Sequence, residues 1–120
     1  MSNQLLGVAV VKVDGQVLRS EPGASIDVGG YTREDQVGAR VQDSGFSEKP
    51  ALAVVDCVVM FDASTRTTPM KAWRDVTIVF ECDTGQSYVL AHAWLVNTPK
   101  LTASGGKLPL QFKAPEAVEA

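Results

Sequence analysis

Few side chains in this sequence have the chemistry to act on a substrate, and each falls in an apparent strand or turn. The triplet Asp83-Thr84-Gly85 is the one used in aspartic-protease chemistry, where two carboxylates in a dry site share a proton. Here Glu81-Cys82 precedes it and Gln86-Ser87 follows, and a second charge beside the site works against proton sharing. The same residues are turn chemistry: Asp83 can bond its own backbone two residues on, and Gly85 can take positive φ. The single histidine, His92, would have to serve any Ser-His-Asp or Cys-His arrangement, yet it falls on an apolar face with Tyr88, Leu90 and Trp94. That placement reads as a core or interface histidine. Cys57 and Cys82 lie inside predicted strands and read as reduced, buried thiols, with a disulfide between them as the alternative. Two separated cysteines and one histidine lack the spacing of a zinc site. Gly29-Gly30 and Gly105-Gly106 match no phosphate-binding loop. The reading is a non-enzyme with no cofactor, no metal and no small-molecule substrate.

The elements that carry these residues are strands. Trp73 to Trp94 reads as a β-hairpin: Val76, Ile78 and Phe80 alternate with Thr77, Val79 and Glu81, and Tyr88 to Trp94 does the same after the turn. The two tryptophans bracket its open end. Upstream, Gly7 to Val13 is a strand, and Asp14-Gly15 is the strongest short hairpin signal in the chain. Ala24 to Val28 is a short strand stopped by Gly29-Gly30. Tyr31 to Pro50 is the least core-like stretch, with an alternating strand over Val37, Ala39 and Val41 and a polar loop from Asp43 to Lys49, ended by Pro50. Ala51 to Met60 is apolar save Asp56 and suits a strand covered on both faces. Thr68 as N-cap and Pro69 at the first position predict one helical turn over Met70 to Trp73. Lys107 to Lys113 alternates with Leu108, Leu110 and Phe112 inward, and Pro109 places it at an edge or bulge.

The 120 residues therefore read as one domain. It is mainly β, an antiparallel sandwich or small barrel of six to eight strands with one short flanking helix. Residues 1–6 are a lead, and 114–120 a small acidic tail expected to be mobile. Eleven basic and fourteen acidic residues give a net charge of -3, scattered without runs, which is the wrong balance for tight DNA binding. The N-terminus reads as carrying no export signal, and no apolar run reaches the roughly 20 residues of a membrane helix.

The string of motifs resembles the tail tube proteins of Mu-type contractile phages. The matching stretches are GVAVVKVDG, YTREDQVGARV, EKPALAVVDCVV, WRDVTIVFECDTGQSYVLAHAW and NTPKLTASGGKLPLQF, in order from about Gly7 to Lys113. The resemblance implies a β-sandwich subunit with a flanking helix. Six copies join their inner sheets into one ring barrel, and rings stack into a tube inside a contractile sheath. Sheath, baseplate and tail-terminator proteins are the implied partners. The implied location is the virion tail, assembled in the bacterial cytoplasm. DNA passes through the lumen without specific binding.

The residues fit such a role independently, because an open sheet edge needs cover and ring closure supplies it. The loop Asp43, Ser44, Gly45, Phe46, Ser47, Glu48 and Lys49 is the candidate for stacking onto the next ring, with an ordinary exposed loop as the alternative. Arg40, Gln42 and Asp56 are candidates for the lumen or for subunit contacts. For Asp56 the alternative is a core or interface carboxylate bonded to Arg40. Two other functions stay open: a monomeric sandwich acting as a binding module, with Phe46 and Tyr31 as its aromatic platform, and the tube of a bacteriocin or secretion-type machine that carries no DNA.

Overall fold

The computed structural model describes residues 3–101, 103 and 105–120; parts of the lead and of the 97–106 loop thus lie outside it. The described residues form ten strands. They are β1 (Ala9–Val13), β2 (Gln16–Val17), β3 (Ser25–Asp27), β4 (Gly30–Gln36), β5 (Gly45–Ala51), β6 (Ala53–Met60), β7 (Val76–Cys82), β8 (Ser87–Leu95), β9 (Lys107–Ala114) and β10 (Val118–Glu119). Two 3-10 turns cover Val41–Asp43 and Met70–Ala72. The main sheet runs β2-β1-β7-β8-β9-β6-β3, with β10 beside β8, and its path is open at β2 and β3. β4 and β5 pair only with each other. All pairings are antiparallel.

The sheet folds over on β8. That strand pairs with β7 as far as Ala93, then with β9 through Trp94 and Leu95. Period-2 alternation turns Val11, Val13, Ile78, Phe80 and Leu90 inward from one wing. Val55, Cys57, Val59, Leu108, Leu110 and Phe112 turn inward from the other, and the two sets form one core. Trp73 closes an end of it, its ring centroid 5.7 Å from that of Phe112. At the fold-over, Ala91 and His92 together oppose Thr77, a β-bulge in which His92 has φ 57°. A bulge adds one residue and increases the local bend, which carries β8 from one wing to the other.

That bulge corrects the expected alternation. Leu90 and Ala93 are buried, and His92 is thrown out to solvent, where Nδ1 lies 2.8 Å from Asp75 Oδ1. It is not a core histidine. β6 is buried on one face only, with Asp56 and Met60 exposed, so the strand is not covered on both sides. β9 is an interior strand rather than an edge: it lies between β8 and β6. Pro109 is tolerated because β8 has ended beside it. Asn97 Nδ2 donates to the Pro109 carbonyl at 3.0 Å, and Asn97 Oδ1 accepts the Gln111 N–H at 2.8 Å. The helical turn is 3-10, and Pro69, not Thr68, stands at its cap. The acidic tail, expected to be mobile, is paired: Val118 and Glu119 lie opposite Val89 and Tyr88, and the Ala120 N–H donates to the Ser87 carbonyl.

The Asp14-Gly15 turn joins β1 to β2 as expected, with φ of 49° and 83°. In the β7–β8 turn, Gly85 has φ 105° and donates to the Cys82 carbonyl at 3.1 Å. Asp83 does not bond its own turn. Its Oδ2 accepts the Val8 N–H at 3.1 Å and its Oδ1 the Gly7 N–H at 3.4 Å, which ties the lead to the hairpin.

Candidate assembly interface

The feature that sets this chain apart from a plain sandwich is the β4–β5 hairpin. Tyr31 to Pro50 was expected as one strand and a loop, and it is two seven-residue strands joined at 37–44. Val37 and Ala39 lie in that connection, and Val41 opens its 3-10 turn. Pro50 lies inside β5 opposite Tyr31, on a strand whose other edge is open, as a proline requires. The hairpin is an arm. No residue in it is buried; Ala51 at its base and Gly38 near its tip are half-buried and all the others are exposed. Seven residues span about 24 Å. The molecule measures 63 × 40 × 28 Å, with a radius of gyration of 17.8 Å. A compact chain of this length would have about 14 Å.

The arm prolongs the β3–β6 pair, since β3 leads into β4 and β5 into β6 across Gly29 and Leu52. Gly29 has φ 73°, and a Cβ there would lie 2.8 Å from the Ala53 nitrogen and 2.9 Å from the Ala51 oxygen. Only glycine fits this junction.

Cross-strand register decides what each side of the arm presents. One side carries Tyr31, Arg33 and Asp35 opposite Pro50, Glu48 and Phe46. On it the Arg33 guanidinium lies 5.8 Å from the Phe46 ring and 3.9 Å from Glu48. The other side carries Thr32, Glu34 and Gln36 with Lys49, Ser47 and Gly45, joined by Lys49–Glu34 at 3.4 Å and Gln36–Ser47 at 3.3 Å. The tip is held by Arg40, whose Nε and Nη2 reach the two Asp43 oxygens at 2.8 and 3.0 Å, and by the Ser44 hydroxyl, which accepts the Gly38 N–H. A bidentate pair of this kind fixes geometry more than it adds stability on an exposed surface.

Of the expected stacking residues, Asp43 and Ser44 lie at the tip, and Gly45, Phe46, Ser47, Glu48 and Lys49 on β5. Arg40 and Gln42 are also at the tip. Asp56 lies apart, on the body, where it accepts from Gln111 Nε2 at 3.0 Å; its partner is not Arg40, which is held by Asp43. Tyr31, expected only as part of an aromatic platform, and Arg33 and Glu34, not singled out as site residues, share the arm with them. A signal for them existed: the charges of TREDQ and SEK mirror one another about the 37–44 connection.

The remaining reactive groups hold structure. Burial first, and the Asp56 charge second, push the Cys57 thiol up to about 12. Cys82, only half-buried, is also raised, by burial and by Asp83. Asp62 is held down at about 2, chiefly by hydrogen bonds from the Ser64 hydroxyl and amide, then by the Thr65 hydroxyl and Arg19. Among the described residues no cluster of three or more His, Cys, Asp or Glu could hold a metal. None of their helices is long and apolar enough to cross a membrane.

Comparison with known proteins assigns the family. The tail tube protein of Escherichia phage Mu is 36% identical over 115 residues, 96% of this chain and 94% of that protein. The Mu-like prophage FluMu tail tube protein of Haemophilus influenzae is 37% identical over 116 residues, 97% and 96% of the two chains. The fold is shared with solved structures of much lower identity. The tube-terminating cap of the anti-feeding prophage superposes with a TM-score of 0.65 at 10% identity, covering 100% of this chain and 94% of that one. The sheath–tube complex of an extracellular contractile injection system gives 0.56 at 12%, covering 94% and 88%. The family model described as phage tail tube protein matches residues 2–119, so the chain belongs to the phage tail tube protein family.

Proposed function

We propose that this chain forms stacked hexameric rings, the inner tube of a contractile phage tail, and that the tube conducts DNA through the host envelope. The observation that carries this reading is the arm. Its two strands pair with each other over seven positions, leave both outer edges open, and bury no residue. A lone two-stranded hairpin is marginal in water, so its order points to a partner in the assembly. Sister copies supply that partner. In-plane, they cover the open β2 and β3 edges and join sheets into a ring barrel. Along the axis, the arm, including residues 43–49, stacks onto the next ring. Arg40 and Gln42 then fall at the inter-ring contact, and Asp56 on a lateral or channel face of the body. Sheath, baseplate and terminator proteins contact the finished tube, which is assembled in the host cytoplasm. The role is structural, without catalysis.

DNA passes without being held. A net charge of -3 per copy gives no basic lining to displace counterions from phosphates. Expression with the cognate tail proteins, followed by negative-stain microscopy, tests the assembly. Hollow tubes are expected from the intact chain and none when residues 31–50 are replaced by a short glycine-serine turn. Tubes of normal length from the armless chain would refute the reading. Duplex DNA should run unretarded beside the protein at about physiological salt.

A further inference from the structure

The arm has two unlike sides, and we propose that only the Tyr31–Phe46–Pro50 side is buried against the neighbouring copy, while the Thr32–Glu34–Gln36–Ser47–Lys49 side stays in water. This rests on the stacking role proposed above and adds its sidedness. The polar side bears no apolar side chain beyond Ala51 at its base. Its acid and base are paired with each other, and Gln36 bonds Ser47. Each side carries an ion pair whose burial costs desolvation, Lys49–Glu34 here and Arg33–Glu48 on the other, but this side offers no aromatic area to offset that cost.

The other side is built for contact. Tyr31 is 64% and Phe46 59% exposed. Together they offer about 250 Å2 of aromatic surface per arm. Six arms would bring roughly 1,500 Å2, the scale of a stable interface, before any backbone contact is added. Aromatic residues and arginine are also the types that anchor such interfaces. Arg33 stands over Phe46 and is tethered by Glu48, so ring and guanidinium are placed before docking. Preorganisation of this kind lowers the entropic cost of association. Asp35, directly opposite Phe46, adds one carboxylate on the same side. The occupant is a second copy of this chain because the arm continues the β3–β6 pair, whose open β3 edge sister copies cover in the proposed ring, and a contact made head to tail is what an open-ended stack requires.

Two variant sets separate the sides, each made in the full chain and expressed with its cognate tail proteins. Tyr31→Ala with Phe46→Ala should leave the melting temperature of the body unchanged. It should raise the protein concentration needed for tube growth by roughly 30-fold or more, the effect of losing a central anchor. Thr32→Lys with Gln36→Lys and Ser47→Glu should shift that concentration by about twofold at most. The reverse ranking overturns the sidedness and leaves the stacking role standing. Full tube growth from both sets overturns both. Normal tubes from the aromatic variant that fail only to bind sheath or terminator overturn the second copy as occupant.

Discussion

Replacing Gly29 with alanine tests the junction between body and arm. The residue has φ 73°, and an alanine Cβ would stand 2.8 Å from the Ala53 nitrogen and 2.9 Å from the Leu52 carbonyl carbon. The left-handed backbone alone costs an alanine roughly 1–2 kcal/mol. Relieving the contact needs a shift of about 0.6 Å at the base, to an ordinary separation. Across a strand spacing of about 4.8 Å that is a tilt near 7°, and over the arm's length of about 24 Å it moves the tip by about 3 Å. Such a displacement exceeds what packed interfaces tolerate. We expect the body to lose a few degrees of thermal stability, since about 1 kcal/mol is worth about 4 °C at this size. Tube growth should be abolished rather than slowed. Gly30→Ala is the control: its φ is 110°, but nothing lies within 4 Å of a Cβ there, so strain remains without the collision. Circular dichroism gives the melting temperature, and sedimentation with electron microscopy gives the tubes. Wild-type tubes from Gly29→Ala, at unchanged stability, would refute the claim that a fixed arm angle is required.

Thiol chemistry gives a second expectation. With its pKa at about 12, Cys57 is thiolate in about one molecule in ten thousand at pH 8. A disulfide reagent should label half-buried Cys82 slowly and Cys57 only on unfolding; rapid labelling of both would contradict the burial. Asp62 should report strong acid at its own loop. Its pKa lies below the ordinary carboxylate value, so its contribution is complete above about pH 4 and is lost as pH falls through about 2. The protection factor of the Ser64 amide, its intrinsic exchange rate over the observed rate at each pH, should fall as pH drops through that window and stay flat in Asp62→Asn. Asp83→Ala should free the lead, whose Gly7 and Val8 N–H groups lose their acceptor. Proteolysis before Ala9 should accelerate while the β7–β8 turn survives, and unchanged cleavage would remove the tether.

The parts legible in the sequence were those with a dry side. β1, β7 and β9 alternate because one face of each meets the core, and Leu108, Leu110 and Phe112 were placed inward correctly; β6 was legible as a strand, but its unbroken apolar run hid that one face is open. The Asp14-Gly15 and Gly85 turns were legible because positive φ restricts residue choice. The arm was not, because a strand wet on both sides has no apolar period to read. YTREDQ and FSEK look like loop until their charges are matched across the connection. β8 misled in a different way: its pattern is regular, but the bulge at Ala91 and His92 shifts the phase, and a bulge leaves no mark when its left-handed residue is not glycine. The turn at Asp83 was legible but the role of its carboxylate was not: it bonds Gly7 and Val8, more than 70 residues away and beyond local reasoning, rather than its own backbone. Residues 43–49 were read as a polar loop, whereas Gly45 to Lys49 lie on β5 and only Asp43 and Ser44 in the connection.

The line from β5 into β6 also fixes how the subunit bears force. A pull on the arm enters β6 along its own axis. β6 is held by eight paired positions to β9, from Ala53–Ala114 to Met60–Lys107. Load in that direction shears the whole ladder at once, so its hydrogen bonds must fail together rather than unzip one by one. Tension along a column of subunits stacked as proposed would thus be carried by covalent backbone and sheared ladders in alternation, passed between them through the closely packed Gly29–Leu52 junction.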